Sequence, residues 1–343
     1  MSANTSEVEV LAPGLLTSVQ DARGRPGFER YGVPTGGAAD AFAAEAANLL
    51  VGNPPDAALL EITLSGPALR FGGTTAFALA GADLGASLEG QPIAPGWSWL
   101  ARAGSVLEFG ERRAGVRAYL AVAGGLLLPM VLGSAATDLL AGFGGLEGRA
   151  LRAGDRLAVP AVPDVVTRSG RHLPEAGRPP DPEAHVRVLP GPHLDHFLCG
   201  TLEALCAATW RITDEADRMG YRLAGPRLRH VRGADVLSLG LPVGAVQVPG
   251  DGQPIVLLVD HQPTGGYAVL ACVIRADLRL LTQRAPGESV RFALTTPIEA
   301  RAALRAQRAT LEQVQAGEDT WAPLRWAGTG PEPVSWSGAA SSE

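Results

Sequence analysis

The sequence predicts a mainly β protein with a few helices, arranged as two β-rich domains. Three observations carry this. Short runs of alternating apolar residues, bounded by turn residues, recur from Leu59 to Val159 and again from Trp210 to Leu294. Strong helix signals are confined to a few short stretches. Between the two β-rich regions, Pro160 to Pro182 carries six prolines and no apolar periodicity, which is the composition of a linker.

In chain order, Leu15 to Gln20 reads as a strand running into Asp21 to Gly37, a stretch too rich in glycine and proline to be regular. Asp40 then stands as an N-cap before the helix formers AFAAEAANLLV, and Gly52-Asn53-Pro54-Pro55 ends that helix. Within the first β region the runs ALRF, TAFALA, GASLEG, WSWLA, SVLEF, RAYLAVAG and RLAV each fit a strand. A phrase of glycine followed by apolar residues at the third and fifth positions after it occurs at Gly104 to Phe109, Gly154 to Val159 and Gly287 to Phe292. It reads as a turn feeding a strand. After the prolines come a strand at His185 to Leu189, a Gly-Pro-His turn, and an apolar helix near Asp195 to Ala208. Thr296-Pro297-Ile298-Glu299 is a capping box with proline at the first helical position, opening a helix to about Gln315 that Gly317 ends. These signals place an N-terminal β-rich domain at 1–165, a linker at 166–183, a C-terminal β-rich domain at 184–327, and a disordered Gly, Ser and Pro-rich tail at 328–343; that both β-rich domains are barrels is not read from these signals.

Composition excludes several classes of function. The chain has 343 residues and a formal net charge of −6 with charges scattered, which argues against nucleic acid or an anionic membrane as partner. No apolar run reaches the roughly 18 residues needed to span a bilayer, and the N-terminus lacks a basic region followed by an apolar one; a cytoplasmic protein is expected. Cys199, Cys206 and Cys272 lack metal-ligand spacing and read as small core residues. All 29 basic residues are arginine. Without lysine the chain carries no biotinyl group, forms no Schiff base and supplies no phosphate-loop lysine.

Polar residues gather where glycines bring the backbone close. The most conspicuous place lies between the apolar runs Ile255 to Val259 and Ala268 to Ile274, where Asp260-His261-Gln262-Pro263-Thr264-Gly265-Gly266-Tyr267 reads as a binding loop, with Gln247 upstream. Near the N-terminus, Gln20, Asp21 and Arg25 precede Asp40; Arg25 offers a planar fork for a carboxylate or phosphate, and Asp21 or Asp40 acts either as base or as a structural partner. Glu61, on an apolar strand, is either a buried partner for an arginine or a site carboxylate. His193 and Asp195 leave the Gly-Pro-His turn together, and Asp217 and Arg218 precede Tyr221. No metal site is expected, because the His-x-Asp-His string lacks a third ligand at recognisable spacing, and no serine or cysteine has the context of a nucleophile. The candidate catalytic set is Asp40, His193, Asp260 and Gln262. The substrate-binding set is Gln20, Asp21, Arg25, Asp217, Arg218, Tyr221, Gln247, Thr264, Gly265, Gly266 and Tyr267.

The stretches DHQPTGGY, LLTSVQDARGRPGFERYGVPTGGAADAFAAEAANLLVGNP (Leu15 to Pro54), LLEITLSGP (Leu59 to Pro67), LPGPHLDHF (Leu189 to Phe197) and DRMGYRLAGPRL (Asp217 to Leu228) run in one order along most of the chain. Together they resemble the allophanate hydrolase subunit 2 family, also called biotin-dependent carboxyltransferase-like, whose bacterial members include the C-type component of 5-oxoprolinase. Two departures are Ala22-Arg23 between Asp21 and Gly24, and Ala268 where proline is common. The resemblance implies two cyclophilin-like β-barrel domains and one component of an amide-metabolising complex, with 5-oxoproline opened to glutamate at the expense of ATP. It also implies a B-type partner, similar to allophanate hydrolase subunit 1, and an A-type partner, with ATP and Mg2+ acting at the level of the complex. The alternatives it leaves are a carboxyltransferase-type component that acts on urea or a related amide, and a regulatory binding module antagonising a kinase inhibitor.

Overall fold

The computed structural model describes residues 5–174, 181 and 183–317. The first half contains β1 (Thr5–Ala12), β2 (Leu16–Gln20), α1 (Ala41–Leu50), β3 (Leu59–Thr63), β4 (Ala68–Phe71), β5 (Thr75–Asp83), β6 (Ala86–Leu88), β7 (Gln91–Pro92), β8 (Trp97–Ala101), β9 (Val106–Phe109), β10 (Ala114–Val122) and β11 (Arg156–Pro160). They are hydrogen-bonded as a six-stranded sheet, β11-β1-β4-β9-β6-β7, and a five-stranded sheet, β2-β3-β10-β5-β8. Val8, Leu69, Phe71 and Leu107 from the first meet Val19, Leu60, Phe77 and Leu120 from the second in one buried core. Strands β5 and β10 are buried on their other face as well. There Ala76, Ala78, Ala80 and Ala121 pack against Ala43, Ala44, Ala46 and Ala47 of α1, small residues that let helix and sheet approach closely. That double burial explains why TAFALA and YLAV read as continuous apolar runs.

The second half contains β12 (Val186–Pro190), α2 (Thr201–Ala207), β13 (Thr209–Ile212), β14 (Gly220–Ala224), β15 (Asp235–Gly240), β16 (Ala245–Gln247), β17 (Ile255–Leu257), β18 (Thr264–Tyr267), β19 (Val269–Val273), α3 (Leu278–Thr282), β20 (Ser289–Leu294) and α4 (Pro297–Ala316). Seven of these strands close a barrel in the order β12-β19-β16-β17-β14-β13-β20, the parallel pair β12 and β20 completing the ring and leaving no free edge. Trp210, Leu223, Val246, Leu270 and Phe292 fill it. Helix α4 leaves the barrel and returns to the first half, where Val314 is buried beside α1 and its carbonyl accepts from Arg171.

The mainly β class is as the sequence predicts, and the closed barrel of the second half is of the kind the family resemblance implies, while the first half is built from two packed sheets. Asp40 caps α1 through Ala43 N, and the capping box of Thr296 and Glu299 is fully formed, with Gly317 in the left-handed region ending α4. The three glycine phrases each place a left-handed glycine, Gly104, Gly154 or Gly287 (φ 87°, 91° and 88°), before β9, β11 and β20. Other expectations need correction. The apolar helix near Asp195 to Ala208 is a 3-10 turn at Leu194–His196 and then α2, because Gly200 (φ 84°) interrupts them. Thr264–Tyr267, read as part of a loop, is strand β18, which pairs with β15 outside the barrel. Cys199 is exposed and not a core residue, while burial pushes the thiols of Cys206 and Cys272 up. The linker region at 166–183 begins as a tied-down segment: Arg171 O accepts from Ser98 N (2.8 Å) and Leu173 N donates to Gly96 O (2.8 Å). Its residues 175–180 and 182, and the tail at 328–343, lie outside the described residues. Among the described residues no helix is long and apolar enough to cross a membrane.

Candidate functional site

Arg218 is the point at which the two halves meet. Asp217 Oδ1 accepts from Met219 N (2.7 Å) and Gly220 N (3.1 Å), a tight turn ahead of β14 from which Arg218 points inward and is buried. Its Nε donates to Asp260 Oδ2 (2.7 Å) and its Nη2 to Asp260 Oδ1 (3.1 Å), a two-pronged grip on one carboxylate. Nη2 also donates to Gly37 O (2.6 Å), and Nη1 pairs with Glu61 Oε1. Burial opposes the charge of the guanidinium, but Glu61 and Asp260 outweigh it and hold Arg218 above its ordinary value.

Glu61, in the middle of β3, ties the N-terminal half to this arginine. Its Oε2 accepts from Ala39 N (2.9 Å) and Tyr119 Oη (2.9 Å), and Arg117 Nε lies 3.8 Å from Oε1. Burial works against its charge too, yet Arg218, Arg117 and the Ala39 amide bring its carboxyl below the usual range. For Asp260 burial prevails, and its carboxyl lies above the ordinary value despite Arg218. Arg117 reaches from β10 into the second half, donating to Tyr221 Oη (2.7 Å) and Thr282 O (2.5 Å). Gln283 completes the seam: its Oε1 accepts from Val116 N and Arg117 N (2.9 and 3.0 Å), and its Nε2 donates to Asp40 Oδ2 (3.0 Å). Sequence reasoning misses Arg117, Tyr119 and Gln283. The available signal was an arginine in the otherwise apolar run of β10, which a strand buried on both faces accepts only when the charge is paired.

Asp21 and Arg25 sit beside this network but do not pair with each other by hydrogen bond. Asp21 Oδ1 accepts from Gly24 N (2.6 Å), and Oδ2 from Ser134 Oγ (2.6 Å) and Ala135 N (2.8 Å). Buried Arg25 donates from Nε to Val131 O (3.0 Å) and from Nη2 to Ala136 O (2.5 Å), and lies 4.7 Å over the Phe143 ring. Burial pulls its guanidinium below the ordinary value, against the fields of Asp21, Asp138 and Asp260. A Cβ added at Gly36 would lie 3.6 Å from Arg25 Nη1 and 3.8 Å from Asp260 Oδ1, so the bare glycine leaves a niche between a cation and a carboxylate. Gln20 Nε2 donates to Ser18 Oγ and Thr137 O, and its Oε1 is buried without a hydrogen-bond partner among the described residues.

The remaining candidates form a second group around β18 and β19. His193 Nδ1 accepts from Val269 N (3.0 Å), which leaves the proton on Nε2, and burial lowers its pKa. Buried Gln247 donates to Tyr267 O (3.4 Å), and a Cβ at Gly265 would lie 3.0 Å from Gln247 Nε2 and 3.6 Å from Gln262 Nε2. Gly266 packs beside Val236 and Ser238 of β15, and Thr264 and Tyr267 are exposed. Asp195 pairs with Arg232 on the surface. The structure therefore gathers Asp40, Arg218, Tyr221 and Asp260 into one buried network with Glu61, places Gln20, Asp21 and Arg25 next to it, and puts His193, Gln247 and Gly265 in a neighbouring group. Among the described residues no group of three His, Cys, Asp or Glu is placed to hold a metal ion.

The strap Thr35 to Asp40, which contributes Gly37 O and Ala39 N to the buried network, also forms one wall of an open cleft of about 990 Å³. Helices α1 and α4 and the turn at Arg275–Asp277 form the others.

Known proteins resemble this chain in sequence and fold over most of its length. The model of the family described as carboxyltransferase domain, subdomain A and B, matches residues 31–294. The chain is 40% identical over 309 residues to the C-type component of 5-oxoprolinase from Escherichia coli, covering 90% of this chain and 97% of that protein. It is 33% identical to urea amidolyase of Lachancea kluyveri, covering 90% of this chain but 18% of that one. The crystal structure of the K. lactis urea amidolyase superposes with a TM-score of 0.84 at 30% identity, over 92% of this chain and 20% of that one.

Proposed function

We propose, from the premise that this chain belongs to the carboxyltransferase domain family, subdomains A and B, that it is the C-type component of an ATP-dependent 5-oxoprolinase complex opening 5-oxoproline to glutamate. The observation that carries the reading is the 40% identity extending over 97% of the corresponding E. coli 5-oxoprolinase component, a protein named as part of a multi-subunit enzyme. A carboxyltransferase-type role on urea or a related amide is the second reading, favoured by the likeness to urea amidolyases in sequence and fold.

In the first reading Arg25 holds the substrate carboxylate in the Gly36 niche through Nη1, its Nε and Nη2 being given to Val131 O and Ala136 O, whereas every guanidinium nitrogen of Arg218 is engaged by Glu61, Asp260 and Gly37. Arg218 then acts as the positioning residue for Asp260, whose raised pKa suits proton exchange with the amide. Gln262 orients the ring. ATP turnover with Mg2+ is a property of the assembled complex in this reading: this chain has no lysine, its described residues offer no cluster of metal-ligating groups, and no phosphate-binding loop pattern is present, so any nucleotide contact it makes runs through arginine. A B-type partner, similar to allophanate hydrolase subunit 1, and an A-type partner complete the enzyme.

The test is substrate-dependent phosphate release from the purified chain with and without those partners. Activity is expected only with the partners, together with a complex burying at least about 1,000 Å²; full activity from the isolated chain overturns the reading. Within the active complex, Arg25→Ala should lower kcat/KM roughly 30- to 1000-fold with 5-oxoproline, and unchanged turnover would remove Arg25 from the site.

A further inference from the structure

We propose that the cleft between α1 and α4 binds an organic anion with an apolar body, its carboxylate or phosphate held by Arg275, Arg301 and Arg308. The site uses different side chains from the niche at Gly36 and does not depend on which amide the protein acts on.

Helix α4 presents Arg301, Leu304, Arg308 and Leu311 to the cleft, a spacing of three and four that puts all four on one face. The opposite wall is apolar, with Phe42 from α1 and Ile274 and Leu278 from the barrel side. A floor of this kind with cations along its rim matches a ligand that is apolar along its length and charged at one end. Among the described residues no carboxylate forms an ion pair with Arg275, Arg301 or Arg308. On the helix itself Arg301 stands four residues before Arg305, and Arg305 three before Arg308, like-charge spacings that weaken a helix instead of supporting it. Arg279, by contrast, stands over the Phe42 ring at 4.2 Å with Asp40 Oδ2 4.0 Å from its Nε, and serves the wall. Four acids, Glu29, Asp40, Glu45 and Asp56, also line the cleft, and Glu45, half-buried on α1, is the one whose carboxyl feels Arg275 and Arg308, without an ion pair to either among the described residues, so it opposes anion entry between them.

The volume, about 990 Å³, is at the upper end for small-molecule sites and far exceeds a five-membered lactam. Both a nucleotide and a medium-chain acyl carboxylate have the required chemistry, and the experiment separates them. Calorimetric titration of the full chain with ATP, with decanoate and with inorganic phosphate should show one of the two organic anions binding, with phosphate alone at least about tenfold weaker because it leaves the apolar wall unused. Arg275→Ala/Arg308→Ala should weaken that binding by about tenfold or more, and Glu45→Gln should tighten it. The opposite signs distinguish loss of the site from loss of the fold. Binding of neither organic anion, equal affinity in the arginine variant, or phosphate binding as tight as the organic ligand would overturn the proposal. Since these variants leave Arg25 and Asp260 untouched, failure here is distinguishable from failure of the 5-oxoprolinase reading, which the phosphate-release assay tests.

Discussion

Glu61 is the residue whose ionisation the seam depends on most directly, because both arginines and two donors from the strap and β10 converge on it. Its folded pKa lies below the ordinary 4.5, so the stability it contributes is fully present above that value and is lost as the pH falls through the folded pKa. Glu61→Gln should therefore be less stable than the native protein at neutral pH, by about 1–3 kcal/mol for charged hydrogen bonds replaced by neutral ones. The gap should close as the pH is lowered below about 4.5. Denaturant unfolding of both proteins at pH 7 and pH 3.5 measures this; a gap that stays constant with pH would show that Glu61 is not the titrating group. From sequence, Glu61 was legible as a buried acid whose partner could not be chosen. The choice needed Arg218, 157 positions away.

At the scale of elements, the strap Thr35 to Asp40 holds its shape through glycine. Gly37 adopts φ 81°, and a Cβ there would lie 2.9 Å from both Asp21 O and Gly24 N, backbone atoms that cannot swing aside. Gly37→Ala should cost about 1–3 kcal/mol and displace the carbonyl that receives Arg218. A thermal midpoint equal to that of the native protein would contradict this. Elements with a purely local cause were readable before the fold was known: Asp40 before α1, the Thr296 box before α4, and the glycines before β9, β11 and β20 all act within a few residues of themselves. Strand β18 was not, because its register is set by β15, beyond the reach of any local signal, and its own residues are the glycines and polar groups of a loop. Gln283 was invisible for the same reason, being an ordinary residue after α3 whose partners are Asp40, Val116 and Arg117.

For the molecule as a whole, the two halves are joined by an ionic seam and by α4, and the seam turns on one arginine. Removing the guanidinium of Arg218 leaves Glu61 with Arg117 at 3.8 Å and Asp260 with no hydrogen-bonded cation, Arg25 standing only across the Gly36 niche, so Arg218→Ala should lose about 3–5 kcal/mol. The loss should appear as two separated unfolding transitions, one for each half, where the native protein shows one. Calorimetry decides between that outcome and a single transition at lower temperature, which would mean that α4 alone keeps the halves together.

A seam built without lysine responds unequally to acid and to base. Acid discharges Glu61, but alkali finds little to remove: the guanidinium groups of Arg117 and Arg218 are both held above the already high ordinary value of arginine, and burial holds the Tyr119 hydroxyl well above 10. Rising pH thus leaves the contact between the halves charged and hydrogen-bonded as it is at neutrality. Its weak side faces acid alone, so the join resists alkaline conditions that would discharge a lysine-based counterpart.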